Sequence, residues 1–236
     1  YPNDPIGVDL SSFHSAEVPK GSGINYSDGI TPFVLSQIFQ RNGDTAWIME
    51  TGYRERQGKS PNFNRDMRFE PRPGYFQPDP GINKGRAPAL SNDTRTWPDT
   101  WPDKDASWNG TWNGYFGKRP AADQESFTVM DDNYYDAWRY NPDSRDTTRR
   151  GLGLRVEVRG FQWANPQAGN TIFWHYDITN EGTTDYPAPS RPENIIFGIY
   201  MDSGVGGSAI GCDPVPESDD DNAFFDTTFG LNLVYT

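Results

Sequence analysis

Cysteine is almost missing from this chain of 236 residues: Cys212 stands alone. No intramolecular disulfide can form, and zinc sites built on several thiolates and c-type haem attachment are excluded. Histidine is nearly as scarce, with only His14 and His175, and no His-Glu-x-x-His or Gly-x-Ser-x-Gly sequence occurs. Positive charge is in short supply: 21 Lys and Arg face 33 Asp and Glu, a formal net charge of −12. Without a basic stretch to neutralise phosphates, a nucleic-acid-binding role is excluded. From Pro192 to Thr236 there is no Lys or Arg at all, while eight acids fall in that span. Long apolar runs are missing too. The longest, Ile195 to Met201, is seven residues, far short of the roughly 20 that cross a bilayer as a helix.

Only 34% of residues are hydrophobic, yet 8 Trp, 12 Tyr and 14 Phe make up 14% of the sequence. Each buried ring removes roughly 150–250 Å² from water, so a chain poor in aliphatics folds around aromatics. Glycine (24) and proline (20) are abundant, which implies long ordered loops. Apolar clusters at Thr31–Phe39 and Asp44–Glu50 flank Asn42-Gly43 and predict a hairpin, with a short helix over Val34–Gln40 as the alternative. Residues 51–125 are rich in Pro, Gly, Asn, Asp and Trp, and aromatics spaced along them are expected to pin this segment to the rest. Leu152, Leu154, Val156 and Val158 alternate with polar residues, a strand with one buried face. The apolar phase then shifts to Phe161 and Trp163, which predicts a β-bulge at Gly160. Ile172, Trp174, Tyr176 and Ile178 share one strand face before a turn at Asn180-Glu181-Gly182, with His175 on the other. Ile195–Met201, apolar on both faces, reads as a central strand, and Leu231–Tyr235 alternates again. Ala121–Val129 is the best helical window, and it is weak. These patterns predict a mainly β fold, an antiparallel β-sandwich of jelly-roll or immunoglobulin-like type. A loop-rich region over 1–125 packs on a sandwich core over 126–236.

The candidate metal ligands are Asp202, Asp213, Glu217, Asp219, Asp220, Asp221, Asn222 and Asp226. Calcium takes six to eight oxygens, and an acidic loop between strands supplies them. A solvated charged loop is the plainer reading. A second oxygen-rich loop, Asp103, Asp105, Ser107 and Asn109, begins like an EF-hand. It places Trp108 where that motif has glycine and Gly114 where the bidentate Glu belongs, so a tight turn anchored by Trp108 is favoured. Trp97, Trp101, Trp108 and Trp112, with Tyr115 and Phe116, form either a sugar-stacking platform or a core that holds the long loop; the shortage of aliphatics favours the core. Gly204-Val-Gly206-Gly207 follows a strand but precedes no helix, so it is not a dinucleotide turn. His175 reads as a second-face residue and Cys212 as inert. No catalytic constellation and no organic cofactor are indicated, although a carboxylate pair brought together only in space escapes a linear reading.

Three segments resemble a known group: Trp112-Asn-Gly-Tyr-Phe-Gly117 with Ala122–Ser126 and Met130–Asn133, Arg149–Trp163, and Ile172–Tyr186. Residues 97–236 are similar to large, mostly uncharacterised secreted bacterial surface proteins, often exported with a C-terminal sorting domain. The resemblance implies an extracellular or outer-surface location and brings no activity with it. The chain begins at Tyr1 and stops within an apparent strand, so a processed or partial polypeptide is expected. The expectation is a structural module of a surface layer, sheath or filament, stabilised by Ca²⁺, whose partners are copies of itself or other surface proteins. A glycan-binding or adhesion module is the first alternative, a fragment of a secreted hydrolase the second.

Overall fold

The computed structural model describes residues 27–39, 43–51, 67–83, 86–99, 101, 110–135, 142–185, 195–203, 224–228 and 233–235. The chain divides into two compact units, Tyr1–Val8 with Val34–Ile196, and Asp9–Phe33 with Phe197–Thr236. The described residues are mainly β and antiparallel, and helix among them is confined to one 3₁₀ turn, Thr94–Thr96. Ten strands follow in chain order. They are β1 (Ser27–Phe39), β2 (Thr45–Thr51), β3 (Glu70–Pro71), β4 (Ala89–Leu90), β5 (Gln124–Asp131), β6 (Leu154–Gln162), β7 (Phe173–Asn180), β8 (Ile195–Ser203), β9 (Phe224–Asp226) and β10 (Leu233–Tyr235).

The larger unit is organised by β5, β6 and β7. Antiparallel pairing sets Phe127 opposite Arg159 and Arg159 opposite His175, while Glu125 faces Phe161 and Phe161 faces Phe173. The short strands β3 and β4 add to the free side of β5. Because side chains alternate across a strand, one face of this sheet collects Leu154, Val156 and Val158, all buried. The other face carries Arg155, Glu157, Arg159 and Phe161, and it is roofed over rather than solvated. Tyr75, Ala89, Trp101 and Trp112 gather on Phe127 and Val129, with Trp97 against them. Trp101 lies 5.1 Å from Phe127 and 5.5 Å from Trp112, the latter edge-on at 84°, and Trp97 lies 5.4 Å from Trp112. Offset and edge-on arrangements of this kind favour aromatic pairs by about 0.5–1.5 kcal/mol beyond area burial. The Trp97 indole donates to the Leu90 carbonyl at 2.7 Å. Rings thus pin the described parts of segment 51–125 onto the sheet.

Three sequence expectations are corrected. The weak helical window Ala121–Val129 is occupied by β5, because its polar side chains find distant partners: Asp123 accepts from the Ala164 amide and Glu125 from Arg159. No bulge interrupts β6, since pairing runs unbroken through Gly160 to Ser126 on one side and Trp174 on the other. Glycine is needed there for close approach: a Cβ would lie 2.6 Å from Ser126 Oγ and 3.0 Å from the Trp174 ring. Trp163 follows β6 and stacks near-parallel on Phe161, two residues back, at 6.3 Å. The third correction concerns β8. In the order β2-β1-β8 the central place belongs to the 13-residue β1, and Ile196 and Ile199 of β8 are exposed. The hairpin is β1–β2, with Gly43 at φ +87° beside the turn. In the second unit β9 and β10 pair antiparallel, Phe224 opposite Tyr235.

Replacing Trp101 by Ala removes a ring that is 3% exposed and is expected to cost about 3–5 kcal/mol of unfolding free energy. Phe116→Ala, at a ring 77% exposed, is expected to change it by less than about 0.5 kcal/mol. Urea melts of the two variants check this division of labour, and equal losses would contradict it.

Candidate functional site

A tight loop precedes β5. Gly114 and Gly117 exchange backbone hydrogen bonds at 2.9 and 3.4 Å, which pushes Tyr115 and Phe116 out at the tip. Any side chain at Gly114 would collide with the Arg119 carbonyl, 2.1 Å from an ideal Cβ. The loop hangs on one carboxylate. Glu125 is fully buried and accepts from the Tyr115 amide at 3.3 Å, the Ala121 amide at 3.1 Å and Arg159 Nη1 at 2.7 Å. Arg159, also buried, donates to the Asn113 carbonyl at 2.9 Å and to Glu157 at 3.0 Å, with its guanidinium 4.2 Å from the centre of the Phe127 ring. A buried ion pair persists only when its remaining hydrogen-bonding capacity is met, and here both partners are satisfied by named groups.

Between this loop and the end of β6 lies a cleft of about 560 Å³, within the roughly 300–1,000 Å³ of small-molecule sites. Tyr115, Phe116, Phe161 and Trp163 supply rings to it, Arg119 and His175 supply polar groups, and Pro120 and Ala121 complete the lining. The His175 ring lies 4.7 Å from Tyr115, and Trp163 meets Phe173 edge-on at 5.5 Å. Among the described residues no carboxylate lines the cleft. The arrangement can hold a ring between aromatic faces and offer donors to its substituents, but it supplies no paired acid and base.

Away from the cleft, Glu50 of β2 and Asp132 after β5 form a buried acid pair. Asp132 accepts from the amides of Leu152, Gly153 and Leu154 at 2.6, 3.2 and 2.9 Å. Neither Glu50 oxygen has a well-formed hydrogen bond. Burial, and then the neighbouring Asp132, push the Glu50 carboxyl well above the ordinary range. Burial raises Asp132 to about 6 against the pull of those amides. Tyr135 donates to the Met49 carbonyl, and burial followed by Glu50 raises its hydroxyl as well. Glu50 and Asp132 are 1% and 0% exposed and do not line the cleft, so they shape stability rather than chemistry. A third charged group closes the far end of the sheet. Arg72 forks onto Glu181 at 2.8 and 2.6 Å and reaches Asp131 at 3.1 Å, while Arg149 meets the same Glu181 at 3.0 Å. Arg72 first, then Arg149, hold Glu181 down to about 2.

The residues singled out by sequence are placed as follows. Trp101 and Trp112 are buried and Trp97 packs against them, so these rings form core rather than a platform; Trp108 lies outside the described residues. So do Asp103, Asp105, Ser107, Asn109, Asp213, Glu217, Asp219, Asp220, Asp221, Asn222 and Cys212. Asp202 lies in β8. Asp226 ends β9 and accepts from the Thr228 amide at 2.6 Å and from its hydroxyl, closing a turn. Among the described residues no three His, Cys, Asp or Glu cluster closely enough to hold a metal ion. Sequence reading missed Arg119, Phe161 and Trp163 as a common site. Its only local signal was Gly-Tyr-Phe-Gly, two large rings set between turn-forming glycines. Compared with protein-family models, curated proteins and solved structures, the chain matches none.

The buried acid pair makes stability depend on pH. An acid whose pKa is raised by folding binds its proton more tightly in the folded state, so its contribution is complete below its unfolded pKa near 4 and is lost as pH rises through about 6. Glu50→Gln copies the protonated group at every pH. The variant is expected to match the parent at low pH and to gain on it as pH rises above the ordinary carboxylate range. Urea melts across these pH values read the difference, and parallel curves would refute it.

Proposed function

We propose that this chain is a non-catalytic, extracellular β-sandwich module that binds carbohydrate in the Tyr115–Trp163 cleft. The carrying observation is the cleft itself: four aromatic side chains around a space of about 560 Å³, with Arg119 and His175 among them and no carboxylate. A pyranose ring presents an apolar CH face and a rim of hydroxyls. The first suits aromatic rings and the second suits polar groups at the margin. The antiparallel sheets of the described residues are compatible with two sandwich layers. Binding to a panel of immobilised glycans tests the reading. At least one class is expected to bind, and Trp163→Ala is expected to weaken it by about tenfold or more, a stacking contribution near 1.4 kcal/mol, with the variant still folded by circular dichroism. A panel with no binder, or full affinity in the Trp163 variant, overturns it.

A second reading, a structural module of a surface layer or filament, is favoured by β7. Among the described residues this strand is hydrogen-bonded only to β6, and Phe173, Trp174 and Ile178 along it are exposed, as is Ile172 just before it. Unpaired, apolar strand edges invite strand addition from another copy. The eight acids of 192–236 would then gain from bound Ca²⁺ between copies. Sedimentation is expected to show concentration-dependent association that Ile178→Lys abolishes and a chelator weakens; a monomer at all concentrations removes this reading.

A further inference from the structure

Arginine is heavily engaged in this protein. Arg72 and Arg149 share Glu181, and Arg159 is committed to Glu125. Arg119 differs: its side chain is exposed, and it forms no ion pair or hydrogen bond among the described residues. It lies on the cleft, whose lining among the described residues holds no carboxylate to neutralise it. Glu125, on which the loop rests, is fully buried and spent on Arg159 and two backbone amides, and Asp123 accepts from the Ala164 amide. A guanidinium matches a planar carboxylate through two parallel N–H···O bonds, a geometry that hydroxyls do not use as well.

From this the geometry points to an acidic saccharide as the ligand, a chain bearing uronic-acid carboxylates, with the sugar ring against Trp163 and Phe161 and the carboxylate on Arg119. The inference rests on the carbohydrate reading of the cleft and adds its specificity. The shared chemistry is an anionic substituent on a sugar ring, so a sulfated saccharide is the competitor that the test must separate.

Calorimetric titration of the whole chain with three oligosaccharides of equal length, one of hexuronic acids, one neutral and one sulfated, provides the test. The hexuronate is expected to bind about tenfold or more tighter than the neutral sugar and tighter than the sulfated one. Arg119→Gln is expected to erase the difference in affinity between the hexuronate and the neutral sugar, with the melting temperature unchanged. Arg119→Lys should restore only part of the preference, because an ammonium lacks the fork. Equal affinity for neutral and acidic sugars, a preference for the sulfated one, or an unaffected hexuronate in Arg119→Gln overturns the acidic specificity while leaving a carbohydrate site standing. Failure of all three sugars to bind overturns both.

Discussion

A carboxylate and a guanidinium buried together, Glu125 and Arg159, are the constraint from which the rest of the larger unit follows. Taking each charge out of water costs several kcal/mol, and their attraction offsets that only when every remaining donor and acceptor is occupied. Here the occupation is done by a loop. The Tyr115 and Ala121 amides complete Glu125, the Asn113 carbonyl and Glu157 complete Arg159, and the Phe127 ring covers the guanidinium face. The loop cannot leave without stranding a charge, and the charge cannot be buried without the loop. One wall of the cleft is therefore set by electrostatics beneath it, while Tyr115 and Phe116 at the loop tip stay exposed.

The same logic governs the roofed face of the sheet. Arg155, Glu157 and Arg159 alternate along one side of β6 and would ordinarily face water. Instead Arg155 lies 5.5 Å from the Tyr75 ring, Arg159 lies over Phe127, and the two arginines bracket Glu157. Aromatic rings can cover cations because their faces carry partial negative charge, which aliphatic side chains do not offer. A composition poor in aliphatics and rich in Trp, Tyr and Phe is thus matched to a sheet with charged residues on its inner face. At the far end Arg72, Arg149, Glu181 and Asp131 tie the turn after β7 to the strands it leaves.

Some of this was legible in the linear order of residues. Alternation in 152–158 and 172–178 marks β6 and β7, because a strand with one apolar face must repeat every second residue. Asn42-Gly43 marks the hairpin, because glycine accepts the positive φ that Gly43 adopts. Other signals misled for identifiable reasons. The apolar shift from Val158 to Phe161 looked like a bulge, since it assumed that only one face is covered; with both faces covered, Val158 and Phe161 sit on opposite sides of an unbroken strand. The tryptophans at 97, 101 and 112 allowed either a platform or a core, and only the position of Phe127 beneath them decides for the core. Arg119 carried no sequence mark at all.

What the order of residues determined by itself was local and statistical: a mainly β chain, rich in aromatics, strongly acidic, and without the motifs of thiolate zinc, serine-elbow or dinucleotide chemistry. Those properties belong to spacing and composition, which the chain has before it folds. Tertiary structure decided which rings are buried and which line a cleft, which acids are buried side by side and which hold an arginine. Each of these depends on partners brought together from far apart, Glu125 with Arg159 across 34 residues and Arg72 with Glu181 across 109, and a charge or a ring acquires its role only from the groups that end up beside it.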